Sequence, residues 1–104
     1  MSYNKLVRDK IPEIIKQNGE EPIIRILDDS EYKIELERKL KEEYEEVLNS
    51  SGIDRLEELA DMLEVIRALA LLENSTLSNI ISIADEKVLK RGAFNNKIFL
   101  EKVK

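Results

Sequence analysis

The sequence predicts a mostly α-helical domain, a helical bundle with a small two-stranded β element. Two long stretches, residues 31–48 and 54–73, carry apolar residues every three or four positions, which is the spacing of amphipathic helices. The chain has 104 residues, of which 42% are hydrophobic and 38% charged, a mixture typical of a soluble helical protein. Residues 1–104 are expected to form one domain, because this length leaves no room for two cores.

The first predicted elements are a short helix and a strand. The helix lies within RDKIPEIIKQNG, where Asp9 is the expected N-cap, Pro12 suits the first turn and Gly19 suits the end. The following run EPIIRIL is rich in isoleucine and short, which favours a strand near residues 22–27.

Two long helices follow and form the centre of the predicted bundle. The first begins at an N-cap formed by Asp29 or Ser30 and ends at the polar stretch 49–52. The second runs from Asp54 through RLEELADMLEVIRALALLEN. The connection is short, so the two helices should be antiparallel neighbours.

The last predicted elements are a third long helix and a second strand. The helix begins after Ser75 or Thr76 and ends at Gly92. The closing stretch NKIFLEKV favours a strand near residues 97–103, which could pair with the strand near 22–27 into a small ribbon. The expected architecture is therefore compact.

Composition excludes several kinds of site. The chain has no cysteine and no histidine, which removes thiolate or imidazole metal ligands and triads that need histidine. A bound metal would need oxygen ligands, which favours magnesium, manganese or calcium.

The net charge of −5 argues against stable nucleic-acid binding. The most apolar stretch, VIRALALLE, is too short to span a bilayer, and the charged opening does not resemble a signal peptide, so we expect a cytoplasmic protein without membrane contact.

Four acids border the apolar faces of the two central helices. Glu43 and Glu46 are separated by three positions on the first, and Glu58 and Asp61 by three on the second. Such a pair lies about one turn apart and can bind one cation. Four carboxylates at a helix–helix boundary would repel each other without a positive partner, so the spacing favours a metal site. The alternative is that they are ordinary salt-bridged surface acids. Their neighbours on the outward faces are Glu42, Glu45, Glu57 and Glu64.

These residues resemble a known family. Glu43-x-x-Glu46 followed by Glu58-x-x-Asp61 looks like the E-x-x-E … E-x-x-D signature of the MazG-like all-α nucleoside triphosphate pyrophosphohydrolases. The flanks KLKEEYEEV and EELADMLEVIRALA also resemble that superfamily. The opening YNKLVRDKIPEII and the closing KRGAFNNKIFLEKV are similar to its phosphoribosyl-ATP pyrophosphohydrolase-like subfamily. The gap between the two acid pairs is slightly shorter than usual; choosing Glu42 and Glu45 would restore it but would turn both acids into solvent.

The resemblance implies a Mg²⁺-dependent hydrolase, with Mn²⁺ as a possible substitute, that cleaves a nucleotide between its α and β phosphates. It implies metal ligation by all four acids, with Glu43 or Glu46 as the general base. Lys87 and Arg91, one turn apart, match the family's late basic positions and are the expected phosphate contacts, although bases at a helix end are commonly just solvated. Arg8 and Lys10, beside Lys5 in the opening motif, are weaker candidates for substrate contact. The relatives also imply a homodimer or homotetramer.

Two other functions fit the same residues. The chain could be a non-catalytic helical dimerisation module that associates through VIRALALL and uses its acids for solubility. It could also bind metal and nucleotide as a sensor with negligible turnover. The identity of the nucleotide stays open, because nothing in the sequence separates canonical triphosphates from modified ones, dUTP or phosphoribosyl-ATP.

Overall fold

Four α-helices account for most of the chain in the computed structural model, which describes residues 4–104. The mostly α-helical class predicted from the sequence is confirmed. In chain order the helices are α1 (Ile11–Gln17), α2 (Asp29–Leu48), α3 (Gly52–Leu72) and α4 (Leu77–Arg91).

The centre of the fold is the hairpin of α2 and α3, which share by far the largest helix–helix contact among the described residues. A three-residue connection, 49–51, reverses the chain. The Ser50 hydroxyl donates to the Val47 carbonyl at 3.0 Å, and Arg55 Nε donates to the Ser50 carbonyl at 2.9 Å. These bonds satisfy carbonyls around the turn that the helices leave without partners.

The N-caps of the long helices differ in part from the prediction. The cap of α2 is Asp28, whose carboxylate accepts the Glu31 backbone N–H at 2.9 Å, so the prediction of Asp29 or Ser30 was wrong by one or two positions. Asp28 has the extended backbone that an N-cap requires, whereas Asp29 already belongs to the helix. Thr76 caps α4 by accepting from Asn79 N–H at 3.1 Å, one of the two positions predicted.

The start of α1 also differs from the prediction. Asp9 is not its N-cap, because a turn from the Arg8 carbonyl to the Ile11 N–H at 3.1 Å places Lys10 at the cap position, where no side chain caps the helix. Pro12 does lie in the first turn, and Gly19 follows the helix with a φ of +83°, a conformation that favours glycine.

The predicted two-stranded ribbon is not present among residues 4–104. The segments 22–27 and 97–103 contain no strand, and no backbone hydrogen bond joins them. A strand needs a partner edge to satisfy its backbone groups, and these segments do not supply one to each other within the chain. The sequence analysis was right that these segments are not helical. It was wrong that they form strands of a ribbon within one chain.

The expectation of a compact shape was also wrong. The Cα radius of gyration is 18.1 Å, whereas a compact domain of this length has about 13 Å. The molecule extends 62 × 33 × 24 Å. In the described part of the chain, the buried apolar residues are Leu36, Val65 and Ala70, and none of them is completely withdrawn from solvent. The hairpin is therefore long and its core thin, because α1 and α4 add little cover to it.

None of the four helices in the range 4–104 combines the length and the apolar character needed to cross a membrane.

The Asp28 cap provides a test of the hairpin's local stability. We expect Asp28→Ala to lower the free energy of unfolding by about 1 kcal/mol, because the Glu31 N–H loses its acceptor. Urea denaturation followed by circular dichroism measures this. Ser30→Ala, two residues away in the exposed first turn, is the control and should change stability by less than about 0.5 kcal/mol. Equal effects of the two substitutions would show that the cap contributes nothing specific.

Candidate metal centre

Three of the four predicted acids converge at the α2–α3 boundary. Glu43 of α2 and Glu58 and Asp61 of α3 each place one carboxylate oxygen within 4.8 Å of the others. Glu43 lies seven positions before Ser50 in the connection and Glu58 eight positions after it, so the antiparallel hairpin brings them level. We refer to Glu43, Glu58 and Asp61 as the acid cluster.

Glu43 is the most constrained member of the acid cluster. Its exposed fraction is 8%, and within residues 4–104 it is the one charged residue in the buried class. The neighbouring acids Glu42 and Glu45 are exposed, as the helical spacing predicts. A buried carboxylate is costly unless it has a cationic partner or shares a proton, so Glu43 needs one of these two compensations nearby.

The electrostatics of the acid cluster act most strongly on Glu58. Partial withdrawal from water raises the pKa of Glu58, and the negative charges of Glu46, Asp61 and Glu43 raise it further, as does a hydrogen bond with Glu43. Both causes act in the same direction, because withdrawal from water and nearby negative charges each disfavour the ionised form. A cation placed among these oxygens would reverse this effect.

Two bases supply part of the missing positive charge. Arg8 donates from one guanidinium nitrogen to Asp61 Oδ1 at 2.7 Å, which ties the segment before α1 to α3. Lys39 Nζ lies 3.7 Å from a Glu43 oxygen and 3.6 Å from a Glu42 oxygen, so Lys39 shares its positive charge between these two acids. The ion pairs of Arg8 and Lys39 do not include Glu58.

The remaining candidate residues lie outside the acid cluster. Glu46 is exposed and is not a member, although its charge is the strongest of those that raise the pKa of Glu58. Lys87 and Arg91 lie on the exposed surface of α4, and no ion pair in the described chain joins either to the acids. Arg91 instead borders a shallow concavity formed with residues 92–98. Lys10 is exposed near Arg8.

The sequence analysis missed two contacts of basic residues with the acid cluster. Lys39 was not singled out, although its i, i+4 spacing from Glu43 is the signal that predicts the contact. Arg8 was considered as a contact for substrate, and the structure gives it an additional contact with Asp61, 53 positions away. No local spacing rule could have predicted that second pairing.

The donor set of the acid cluster suits a hard divalent cation. All three groups offer carboxylate oxygens, the ligands preferred by magnesium, manganese and calcium. Oxygens separated by up to 4.8 Å leave room for an ion between them. Magnesium usually binds one or two carboxylates and completes its shell with water and phosphate, so the cluster fits this ion with positions left for a ligand.

Comparisons with known proteins give limited information. An uncharacterized protein of Mycolicibacterium smegmatis is 51% identical over 43 residues, which are 41% of this chain and 44% of that protein. The chain therefore matches less than half the length of this relative. No family model matches the chain, and no solved structure matches it.

The raised pKa of Glu58 predicts how the metal-free protein responds to pH. Because the folded state holds this proton more tightly than the unfolded state, Glu58 contributes stability as the pH falls through its folded pKa and removes stability when it ionises. We therefore expect Glu58→Gln to be more stable than the wild type at neutral pH in the presence of a chelator. The difference should shrink as the pH falls through the raised pKa of Glu58, where the wild-type side chain becomes protonated. Urea denaturation at several pH values measures it.

The control is Glu57→Gln, which removes one negative charge from the adjacent exposed position. If both variants showed the same pH-dependent gain, the effect would reflect net charge alone and not the acid cluster.

Proposed function

We propose that this protein is a Mg²⁺-dependent nucleotide pyrophosphohydrolase. It hydrolyses a nucleotide between the α and β phosphates and releases a nucleoside monophosphate and pyrophosphate. Its role is the removal or processing of nucleotides. The proposal combines the E-x-x-E … E-x-x-D resemblance with the carboxylates at the α2–α3 boundary.

The observation that carries the proposal is the convergence of Glu43, Glu58 and Asp61 within 4.8 Å. Surface acids on charged helices seldom meet across two helices, because like charges at that distance destabilise each other. Here one of the three is buried and another has a raised pKa. An arrangement that costs stability in the metal-free chain is understandable if the acids bind a cation.

The acids divide into ligands and a base in this proposal. Glu43, Glu58 and Asp61 hold Mg²⁺, with Glu46 as a further ligand or a second-sphere group. The ion, when bound, neutralises phosphate charge and lowers the pKa of an attacking water. Glu43 or Glu46 accepts the proton of that water. Glu46 is the better candidate, because its carboxylate is exposed and lies outside the acid cluster.

The phosphates of the substrate require further positive charge. Arg8 lies next to the acid cluster, since its guanidinium donates to Asp61 and has further N–H groups that can donate to a phosphate. Lys10 follows two residues later. Lys87 and Arg91 are exposed on α4, so their use as phosphate contacts requires that α4, of this chain or of a second copy, lie over the acids. The resemblance implies a homodimer or homotetramer. The proposed location, expected from the charged opening of the sequence, is the cytoplasm, where nucleotides are available.

The direct test is pyrophosphate release from a panel of nucleotides with and without Mg²⁺. The panel should contain ribo- and deoxynucleoside triphosphates, dUTP and phosphoribosyl-ATP. We expect Mg²⁺-dependent release by the wild type and a fall of roughly a hundredfold or more in Glu58→Gln, because metal-ion stabilisation is worth several kcal/mol. Glu57→Gln should retain wild-type activity.

Isothermal titration with Mg²⁺ separates the competing functions. Binding of Mg²⁺ and nucleotide without turnover of any substrate would favour a sensor. Neither binding nor turnover, in a folded protein, would reject the metal site and favour a dimerisation module whose acids only solubilise it.

The Arg8–Asp61 pair generates a second prediction. In Arg8→Ala we expect Mg²⁺ to bind more tightly, because the guanidinium no longer competes for Asp61, while nucleotide binding weakens. The loss of stability without metal should be below about 1 kcal/mol, since both side chains are largely exposed. Titration with Mg²⁺ alone and then with a nucleotide measures both changes. Arg38→Ala is the control, because Arg38 pairs with Glu35 within α2. Unchanged affinity for both ligands would remove Arg8 from the site.

A further inference from the structure

The described chain exposes much more surface than a compact protein of its mass. Its accessible surface is 9654 Å², whereas a compact monomer of 12.1 kDa exposes about 6,000 Å². The excess, roughly 3,600 Å² per chain, exceeds what one partner contributes to a standard interface, about 800 Å². A stable dimer could therefore be formed from a fraction of this surface.

Two non-helical segments contribute heavily to the exposed apolar surface. The first segment, residues 22–27, exposes Ile23 at 97% and Ile26 at 89%. The second segment, residues 97–103, exposes Ile98 at 84% and Phe99 at 88%. Large apolar side chains exposed to this degree in neighbouring positions mark an interaction surface.

The backbones of both segments are also unpaired. Within residues 4–104 no backbone hydrogen bond links either segment to another part of the chain, apart from a local turn in which Lys97 N–H donates to the Phe94 carbonyl. A segment with apolar side chains whose backbone is unpaired and not helical can add as a strand to a partner edge. The first segment is held in place at Arg25, which forms a two-point ion pair with Glu31 of α2 at 2.8 and 3.3 Å.

The charges of the two segments are complementary. Residues 20–27 carry Glu20, Glu21 and Arg25, a net charge of −1. Residues 97–104 carry three lysines and Glu101, a net charge of +2. In an antiparallel pairing that sets Ile24 opposite Leu100, Ile26 meets Ile98 on the same face. The same register places the acidic end of the first segment beside the lysines at the end of the second.

We infer that the first segment of one copy of this chain pairs antiparallel with the second segment of another copy. A symmetric dimer then contains two such intermolecular ribbons, because an isologous interface repeats each contact. The partner is a second copy because the complementary segment is encoded in this same sequence and is not paired within the chain. The inference is independent of the proposed function, since it involves neither the acid cluster nor a nucleotide.

The test uses the absence of cysteine from the chain. Two full-length single-cysteine variants, Ile24→Cys and Leu100→Cys, are mixed and oxidised with glutathione disulfide. In an antiparallel pair, opposed residues lie within disulfide distance. In an equimolar mixture we expect the mixed disulfide, measured by mass spectrometry, to exceed the share of about half that random pairing gives in the antiparallel arrangement's absence. The control mixture, Ile24→Cys with Asp85→Cys on the exposed face of α4, should give only a statistical distribution.

Sedimentation equilibrium of the wild type and of the double variant Ile98→Lys/Leu100→Lys completes the test. We expect a dimer or larger assembly for the wild type and a shift to the monomer mass in the variant, with its helical circular dichroism preserved. A wild-type monomer at all concentrations would overturn the inference. So would an oligomer in which Ile24→Cys and Leu100→Cys cross-link no better than the control, or a chain carrying both cysteines that closes its disulfide internally as a monomer.

Discussion

The packing of α2 against α3 is the constraint on which the rest of the structure depends. It contains the buried apolar residues Leu36, Val65 and Ala70, and its short connection sets the level at which residues of the two helices meet. The same packing brings Glu43 to Glu58 and Asp61. Core and acid cluster are consequently parts of one interface: the apolar side chains hold the helices together, and the carboxylates at its margin push them apart.

The balance between these two effects explains the positions of the nearby bases. Arg8 reaches Asp61 from outside the hairpin, and Lys39 reaches Glu43 from within α2. Neither forms an ion pair with Glu58, whose pKa stays raised. The hairpin therefore holds three carboxylates close together at the α2–α3 boundary. A hairpin with so thin a core tolerates this charge only within a limited stability margin, typically 5–15 kcal/mol for a whole domain. Because the acids destabilise the hairpin, their presence there is best explained by a function such as binding a cation.

Features set by local chemistry could be predicted from the sequence. The periodicity of α2 and α3 identified both helices, and the same geometry distinguished the inward Glu43 from the outward Glu42 and Glu45. Thr76 and Gly92 were expected at the ends of α4 and are found there. The exact caps of α1 and α2 were missed, because several adjacent residues have suitable side chains and the backbone decides among them. The contact of Arg8 with Asp61 was missed because it depends on how the opening segment folds back, which no spacing rule describes.

The two apolar segments show a different reason for failure. Their composition favours strands, yet a strand is a property of a pair, and the sequence of one chain does not reveal which chain supplies the partner. The absence of an internal ribbon within residues 4–104 is also consistent with the elongated shape. The Cα radius of gyration is 18.1 Å because neither apolar segment packs as a further layer on the α2–α3 hairpin. Burying isoleucines and phenylalanine against a second copy would give each chain the apolar cover that its own core lacks.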